Sequence, residues 1–377
     1  MRKDQRIQAI EEWLLIGLFL GALLSPLITM EILPSQATSS DEYRTLAPMP
    51  SWPLTVRALA EFPSGFGLYF NDHFGFRRPL IRVQALVKVR WLGESVSPQV
   101  IVGKDGWLFF NANYEQSLSQ SGSDRLFTSE QLARWQQALE VRHDWLAQRG
   151  IRYLFVIAPE KQSIYPEYLP AGTPSHQKSR LDQLVTYLKE NSQLEILDLR
   201  PPLLEAKRTR RVYLKTDTHW NTMGALVACQ AIVRKLANDF PEMKPLQESD
   251  CVTSTITFST GDLGRMLGLS GSFVEEVEDL QLRDPGFVVQ TEPNGTPPTR
   301  VSNHRDHHLP RLLAFCDSFS GRLSQFLSQY FSRAVYRRQF YFDPGQVELE
   351  QPQVVMQEIV ERYLTDDPPA DLLPGPK

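Results

Sequence analysis

The chain has 377 residues, enough for one large domain or two ordinary ones around a proper core. Its 42% hydrophobic and 22% charged residues are those of a folded globular protein. A formal net charge of −4, a pI near 6.0 and the lack of a basic stripe interleaved with aromatics argue against a nucleic-acid partner.

The first informative segment runs from Trp13 to Met30, WLLIGLFLGALLSPLITM, and carries no charged residue. Eighteen such residues just suffice to cross a hydrocarbon core of roughly 30 Å. Arg2, Lys3 and Arg6 precede it and Arg44 is the first basic residue after it, so residues 1–12 are expected in the cytoplasm and the remainder outside. This predicts a single-pass anchor at 13–30 in the inner (cytoplasmic) membrane. A cleaved signal is the rival, because PSQATSS follows with small residues, and a buried core helix is the bland alternative. On the first two readings the body faces an oxidising, extracytoplasmic space. Cys229, Cys251 and Cys316 fit no metal-ligand spacing. One disulfide is possible there, but Cys229 falls in a predicted helix and Cys316 in a predicted strand, which suits buried apolar fillers.

Residues 31–59 read as a polar, Pro-containing linker, and the aromatic-rich FPSGFGLYFNDHFGFRRPLI (62–81) as a structural collar. QVIVGKDGWLFF (99–110) has the signature of a hairpin turning at Lys104-Asp105-Gly106. Ser129 is expected to cap a helix through Leu132, Trp135, Leu139 and Trp145. IRYLFVIAP (151–159) is a continuous apolar run, as in a strand buried on both faces. A helix near 179–190, a strand at 194–200, a short strand at 212–216 (VYLKT) and a helix over 222–237 follow. RLLAFC (311–316) reads as a strand, 319–331 as a helix, AVYRRQFYF (334–342) as a strand and VVMQEIVERYL (354–364) as a closing helix. The alternation predicts an α/β sandwich with a mostly parallel sheet, and the Pro-rich tail from 366 to 377 reads as disordered.

In open α/β sheets function collects at the carboxyl ends of strands, and two such places carry reactive residues. Asp217-Thr218-His219 follows VYLKT, and Asp317, Ser318 and Ser320 end the apolar RLLAFC run and begin a helix. A serine needs a base, and the base an orienting carboxylate. His219 suits the first role and Asp217, two residues earlier on extended chain, the second. The helix start after Ser318 offers N–H groups to a developing oxyanion. The competing reading is a decorated helix entrance at 217–221 and an N-cap at Ser318. No G-x-S-x-G elbow is present, which disfavours an α/β-hydrolase.

YLKTDTHWNTMGA and CDSFS, in that order and about a hundred residues apart, resemble the SGNH-hydrolase-like domain of the alginate O-acetyltransferase family, of the AlgJ and AlgX kind. NDHFGFRRPLI, IVGKDGWLFF, APEKQSIYPEYLP, GDLGRMLGL and IVERYL match the same pattern, over roughly 60–365. The resemblance implies a flavodoxin-like SGNH sandwich in which Ser318 is the nucleophile, His219 the general base and Asp217 its partner. It implies acetyl transfer through a Ser ester onto hydroxyls of an exported polysaccharide, with no cofactor. It also implies a membrane-bound O-acyltransferase partner as the acetyl donor. One departure is Cys316, where the family usually has glycine; if that position needs a glycine-only backbone angle, the turn is strained.

The same three residues would equally serve an extracytoplasmic acetylesterase, and a third reading is a non-catalytic polysaccharide-binding scaffold. Lys161 after a strand end is a candidate to bind an anionic sugar, and Trp220 one to stack on a sugar ring. A capping lysine and an aromatic wedged under a helix start are their bland counterparts. Asp262 in GDLG is open between a turn cap and a substrate contact. His304, Asp306, His307 and His308 in NHRDHHLP read as a solvated loop, so no metal is expected.

Overall fold

The computed structural model of the chain describes residues 2–32, 37–39, 44–112, 126–173, 178–259, 261–292 and 299–371. Most of the PSQATSS stretch, the prolines of 293–298 and the last six residues lie outside them. The chain divides into two compact units, Met1–Val96 with Arg265–Leu269, and Ser97–Gly264 with Ser270–Lys377.

In the first unit the uncharged run lies within a helix, Arg2–Ile32. Its Ile10–Met30 stretch has a mean hydropathy of 2.1, and among the described residues it is the helix long and apolar enough to cross a membrane. Two short strands, β1 (Thr38–Ser39) and β2 (Arg44–Thr45), pair antiparallel. The expected linker ends before residue 59, because Thr55 accepts the Ala58 N–H at 3.2 Å and starts a helix at Val56–His73. A second helix, Arg77–Val87, follows after Gly75. The predicted collar is therefore a helical hairpin.

The second unit opens with β3 (Val100–Val102) and β4 (Leu108–Phe110), an antiparallel hairpin turning through Asp105 at φ 53° and Gly106 at φ 78°. Then come β5 (Arg152–Ala158), β6 (Ile196–Asp198), β7 (Cys251–Phe258), β8 (Glu275–Leu282) and β9 (Phe287–Glu292). β10 (Thr299–His304), β11 (Arg311–Cys316), β12 (Arg333–Arg338) and β13 (Val354–Val360) complete the set. Seven of them form one sheet in the order β6-β5-β13-β11-β12-β10-β9, while β7 and β8 make a separate ribbon. The sheet is mixed: β6 to β12 run parallel, and β10 and β9 add an antiparallel edge.

Period-2 alternation divides the core between two faces. From β5, Leu154, Val156 and Ala158 join helix Thr222–Leu236 and helix Ser320–Leu327, whereas Tyr153, Phe155 and Ile157 join helices Ser129–Ala147 and Arg180–Asn191. Helices thus cover both faces of the parallel strands.

Three expectations are corrected here. VVMQEIV is no closing helix but β13, hydrogen-bonded between β5 and β11. Its Gln357-Glu358 pair imitates a polar helix face, yet both residues are fully buried. VYLKT forms no strand beyond an isolated bridge, Tyr213 to Trp220. The tail is ordered as far as Asp371, because the buried Arg142 guanidinium donates to the Asp371 carboxylate, the Pro369 carbonyl and Gln357. Smaller shifts are the cap of helix Ser129–Ala147, which is Thr128, and the end of the 334–342 strand, which stops at Arg338. All three cysteines are buried free thiols, and Cys316 continues a regular strand with no positive φ.

Candidate active site

Ser318 stands two residues beyond β11, just before helix Ser320–Leu327. The turn is tied down by Asp317, whose carboxylate accepts the Phe319 N–H at 2.8 Å and the Val360 N–H at 2.7 Å. The Asp317 N–H in turn donates to Glu358 at 3.2 Å. Two carboxyls buried side by side cannot both ionise. Burial and the Asp317 charge push Glu358 far up, so Glu358 holds the proton. The end of β11 is thereby bolted to the end of β13.

Asp217 and His219 lie on a loop closed by the Tyr213–Trp220 bridge. Its polar backbone is satisfied by side chains instead of a strand ladder, which is why no strand forms. The Lys161 ammonium donates to the carbonyls of Leu214 (3.0 Å), Lys215 (3.0 Å) and Asp217 (2.7 Å). Glu275 accepts the N–H groups of Lys215 and Thr216, both at 3.1 Å. Asp262 accepts the Thr218 N–H at 2.7 Å. Gly261 lets the chain come in close: a Cβ there would stand 2.1 Å from the Thr216 carbonyl oxygen. Asn221 caps the following helix through the Gly224 N–H at 2.9 Å, so the helix entrance and the Asp-His pair are separate devices.

The three residues picked from sequence meet. Ser318 Oγ lies 2.8 Å from His219 Nε2, and His219 Nδ1 lies 2.7 Å from Asp217 Oδ1. The His219 N–H also donates to Asp217 Oδ1 at 3.0 Å, and the Asp262 N–H to Asp217 Oδ2 at 3.2 Å. Burial alone would raise the Asp217 carboxyl. The hydrogen bonds and charge of His219, with Arg322 at 3.9 Å, outweigh it and hold the group well below the usual carboxylate range. Phe319 packs its ring 4.8 Å from the His219 ring. The Ser318 N–H has no acceptor among the described residues, which leaves it available to an oxyanion.

The two substrate candidates are placed otherwise. Lys161 is 1% exposed and fully engaged with the loop, above the Trp107 and Phe109 rings of the hairpin. Burial pushes its pKa down from 10.5 to about 8, against the pull of Asp217, Asp262, Glu275 and Glu160. Trp220 is 0% exposed and meets Phe319 edge-on at 4.9 Å, so it supports the site from below and presents no face to a sugar. Sequence reasoning missed Glu275 and left Asp262 undecided; the family-like GDLG segment was the signal for the latter. Asp262 also stands 3.7 Å from His219 Nδ1, and Asp217, His219 and Asp262 offer donor atoms within 4.8 Å of one another. That geometry would suit a cation, but Nδ1 is committed to Asp217 and Asp262 to Thr218. In the NHRDHHLP loop, His304 is buried and accepts the Asp306 N–H. His307 and His308 line a cavity of about 870 Å³ beside Arg311, at the opposite end of β11 from Ser318.

The family model described as "SGNH hydrolase-like domain, acetyltransferase AlgX" matches residues 100–340, well over half of the chain. The chain belongs to this SGNH-like acetyltransferase family. Among curated relatives, the "Probable alginate O-acetylase AlgJ" of Pseudomonas syringae pv. tomato is 28% identical over 221 residues, covering 57% of this chain and 54% of that protein. Its namesake in Pseudomonas aeruginosa is 27% identical over 222 residues, covering 58% and 54%. The chain therefore spans about half the length of the curated relatives it matches. Among solved structures, Bacillus cereus PatB1 superposes with a TM-score of 0.53 at 15% identity, over 71% of this chain and 97% of that one. At that identity PatB1 speaks for the SGNH-like α/β fold alone.

Proposed function

We propose that this chain is an O-acetyltransferase that moves an acetyl group through a Ser318 ester onto hydroxyls of an exported polysaccharide. The observation that carries the reading is the continuous line Ser318 Oγ, His219 Nε2, His219 Nδ1, Asp217 Oδ1, with links of 2.8 and 2.7 Å, in a chain of this family. As Ser318 attacks the acetyl carbonyl, His219 Nε2 takes its proton, and Asp217 stabilises the imidazolium that forms. Collapse of the tetrahedral species expels the donor oxygen, which leaves with the proton from His219 and an acetyl ester on Ser318. A sugar hydroxyl then gives its proton to His219, attacks the ester and frees Ser318. The Ser318 N–H stabilises the oxyanion in both halves. The names of the curated relatives point to alginate as the class of acceptor.

The apolar Ile10–Met30 stretch acts as a single-pass anchor in the inner membrane on this reading, with the catalytic unit outside. Acetyl is then supplied at the membrane by a membrane-bound O-acyltransferase partner. The test incubates the full chain with a chromogenic acetyl ester and a uronic-acid oligomer. Acetyl recovered on the oligomer, and lost in Ser318→Ala, supports transfer. Free acetate with no acetylated oligomer makes the protein an esterase. Unchanged acetylation by Ser318→Ala removes catalysis from this site.

A further inference from the structure

Residues 49–96 expose more large apolar side chains than all of the described chain after them. Helix Val56–His73 buries no residue at all. Phe62, Phe66 and Phe70 recur every fourth residue along it, and Phe74 continues the series just past its end. Neighbouring rings lie 5.7 to 6.2 Å apart, so one face is an aromatic ladder; Phe62, Phe70 and Phe74 are half-buried, Phe66 is 39% exposed and Leu59, on the same side, 63%. Arg57, Glu61 and Ser64 occupy the opposite face together with Leu68, which is 63% exposed. Trp52, just before the hairpin, and Trp91, at its end, are 79% and 82% exposed. Over 56–92 there are six basic residues against two acidic ones. A soluble surface does not carry such a patch without something to cover it.

What covers it follows from where the hairpin joins the first helix. From Ile10 to Leu24 the helix is exposed; Pro26 is then buried and Thr29 half-buried. The cover is the hairpin corner: a Cβ on Gly75 would stand 1.8 Å from Thr29 Oγ1 and 2.7 Å from the Pro26 carbonyl oxygen. Glycine is what permits that approach. The corner is further held by Asp72, which accepts the Ala47 N–H at 2.8 Å. Pro26 lies four residues inside the outer end of the apolar stretch at Met30, about 6 Å deep by helical rise. Amphipathic interfacial helices bury their apolar face about 5–10 Å into the headgroup boundary, with basic residues toward anionic headgroups.

We propose that the hairpin of residues 56–92 lies in the outer interface of the membrane that holds the anchor, its phenylalanine ladder and flanking tryptophans in the lipid boundary of an anionic leaflet. This rests on the anchor reading of Ile10–Met30 above.

The test uses the full chain in vesicles of phosphatidylethanolamine and phosphatidylglycerol. Environment-sensitive labels are placed at Leu18→Cys, Leu59→Cys, Trp91→Cys and Leu349→Cys; the native thiols are buried. Leu18, Leu59 and Trp91 labels are expected to be quenched by spin-labelled lipid. Depth should place Leu59 and Trp91 within about 10 Å of the lipid boundary. The Leu349 label, on a residue 72% exposed in the second unit, is expected to answer to aqueous iodide. A lipid-quenched Leu18 with Leu59 and Trp91 quenched by iodide overturns the hairpin's seat and leaves the anchor standing. Labels at 59 and 91 reached by neither quencher overturn it in favour of protein cover. A Leu18 label reached by iodide removes the anchor, and the proposal falls with it.

Discussion

Lys161→Met probes what holds the Asp217–His219 loop. The ammonium supplies the hydrogen bonds of the Leu214 and Asp217 carbonyls, whereas the Lys215 carbonyl keeps the Leu108 N–H at 2.9 Å. Two orphaned buried carbonyls cost about 2–6 kcal/mol. Against this, the fall of the Lys161 pKa from 10.5 to about 8 represents a penalty for burying charge, about 3 kcal/mol at roughly 1.4 kcal/mol per pH unit. Methionine relieves that penalty. The two effects nearly cancel in global stability at neutral pH, but the loop loses its register, and a shift of about 1 Å at the base lowers kcat about 100-fold. The pH dependence carries a separate sign. Because the folded pKa lies below the unfolded one, the unfolded chain binds the extra proton between about pH 8 and 10.5. Wild-type stability therefore gains about 3 kcal/mol over the variant as pH rises through that window, and the gain disappears below about pH 8. Denaturant unfolding of both proteins from pH 6 to 10.5, with kcat on an acetyl ester, measures both effects. Parallel stability profiles together with an unchanged kcat would refute the reasoning.

Asp217→Asn turns an acceptor toward His219 Nδ1 into an amide and is expected to lower kcat by about 10⁴-fold with little change in KM; a KM effect alone would mark Asp217 as a substrate contact. Since the Asp217 carboxyl is held below its usual range, its stabilisation is present above about pH 4 and lost as pH falls further. Acid unfolding of wild type and Asp217→Asn should converge there. Gly261→Ala forces a Cβ against the Thr216 carbonyl, 2.1 Å away, and should cut kcat while the circular dichroism of the sheet is retained; full activity would show that the loop gives way at no cost.

Adjacency decided which parts of this molecule were legible from its residues. The Asp-x-His pair and the serine after RLLAFC each sit at the end of a local pattern, so the three could be named before any contact was known. Continuous apolar runs likewise announced β5 and β11. What Lys161, Glu275 and Asp262 do was not legible, because each acts on backbone atoms of a loop 44 to 60 residues away. A lysine after a strand reads as a sugar-binding or surface group until its three acceptors converge. Trp220 misled in the same way: an aromatic next to an Asp-x-His pair suggests sugar stacking, but it is fully buried edge-on against Phe319. β13 was misread because its two buried polar residues answer Asp317 and Arg142, partners that no window of neighbouring residues contains.

The position of β13 has a practical consequence for anyone cutting this gene. The region shared with the family model stops at 340, yet the strand seated between β5 and β11 starts fourteen residues later. An expression fragment trimmed at that border would be a sheet torn down its midline, with the Asp317 carboxylate stripped of the Val360 N–H and Arg142 of its Asp371 counter-ion. A fragment that keeps the sheet whole runs at least to Asp371.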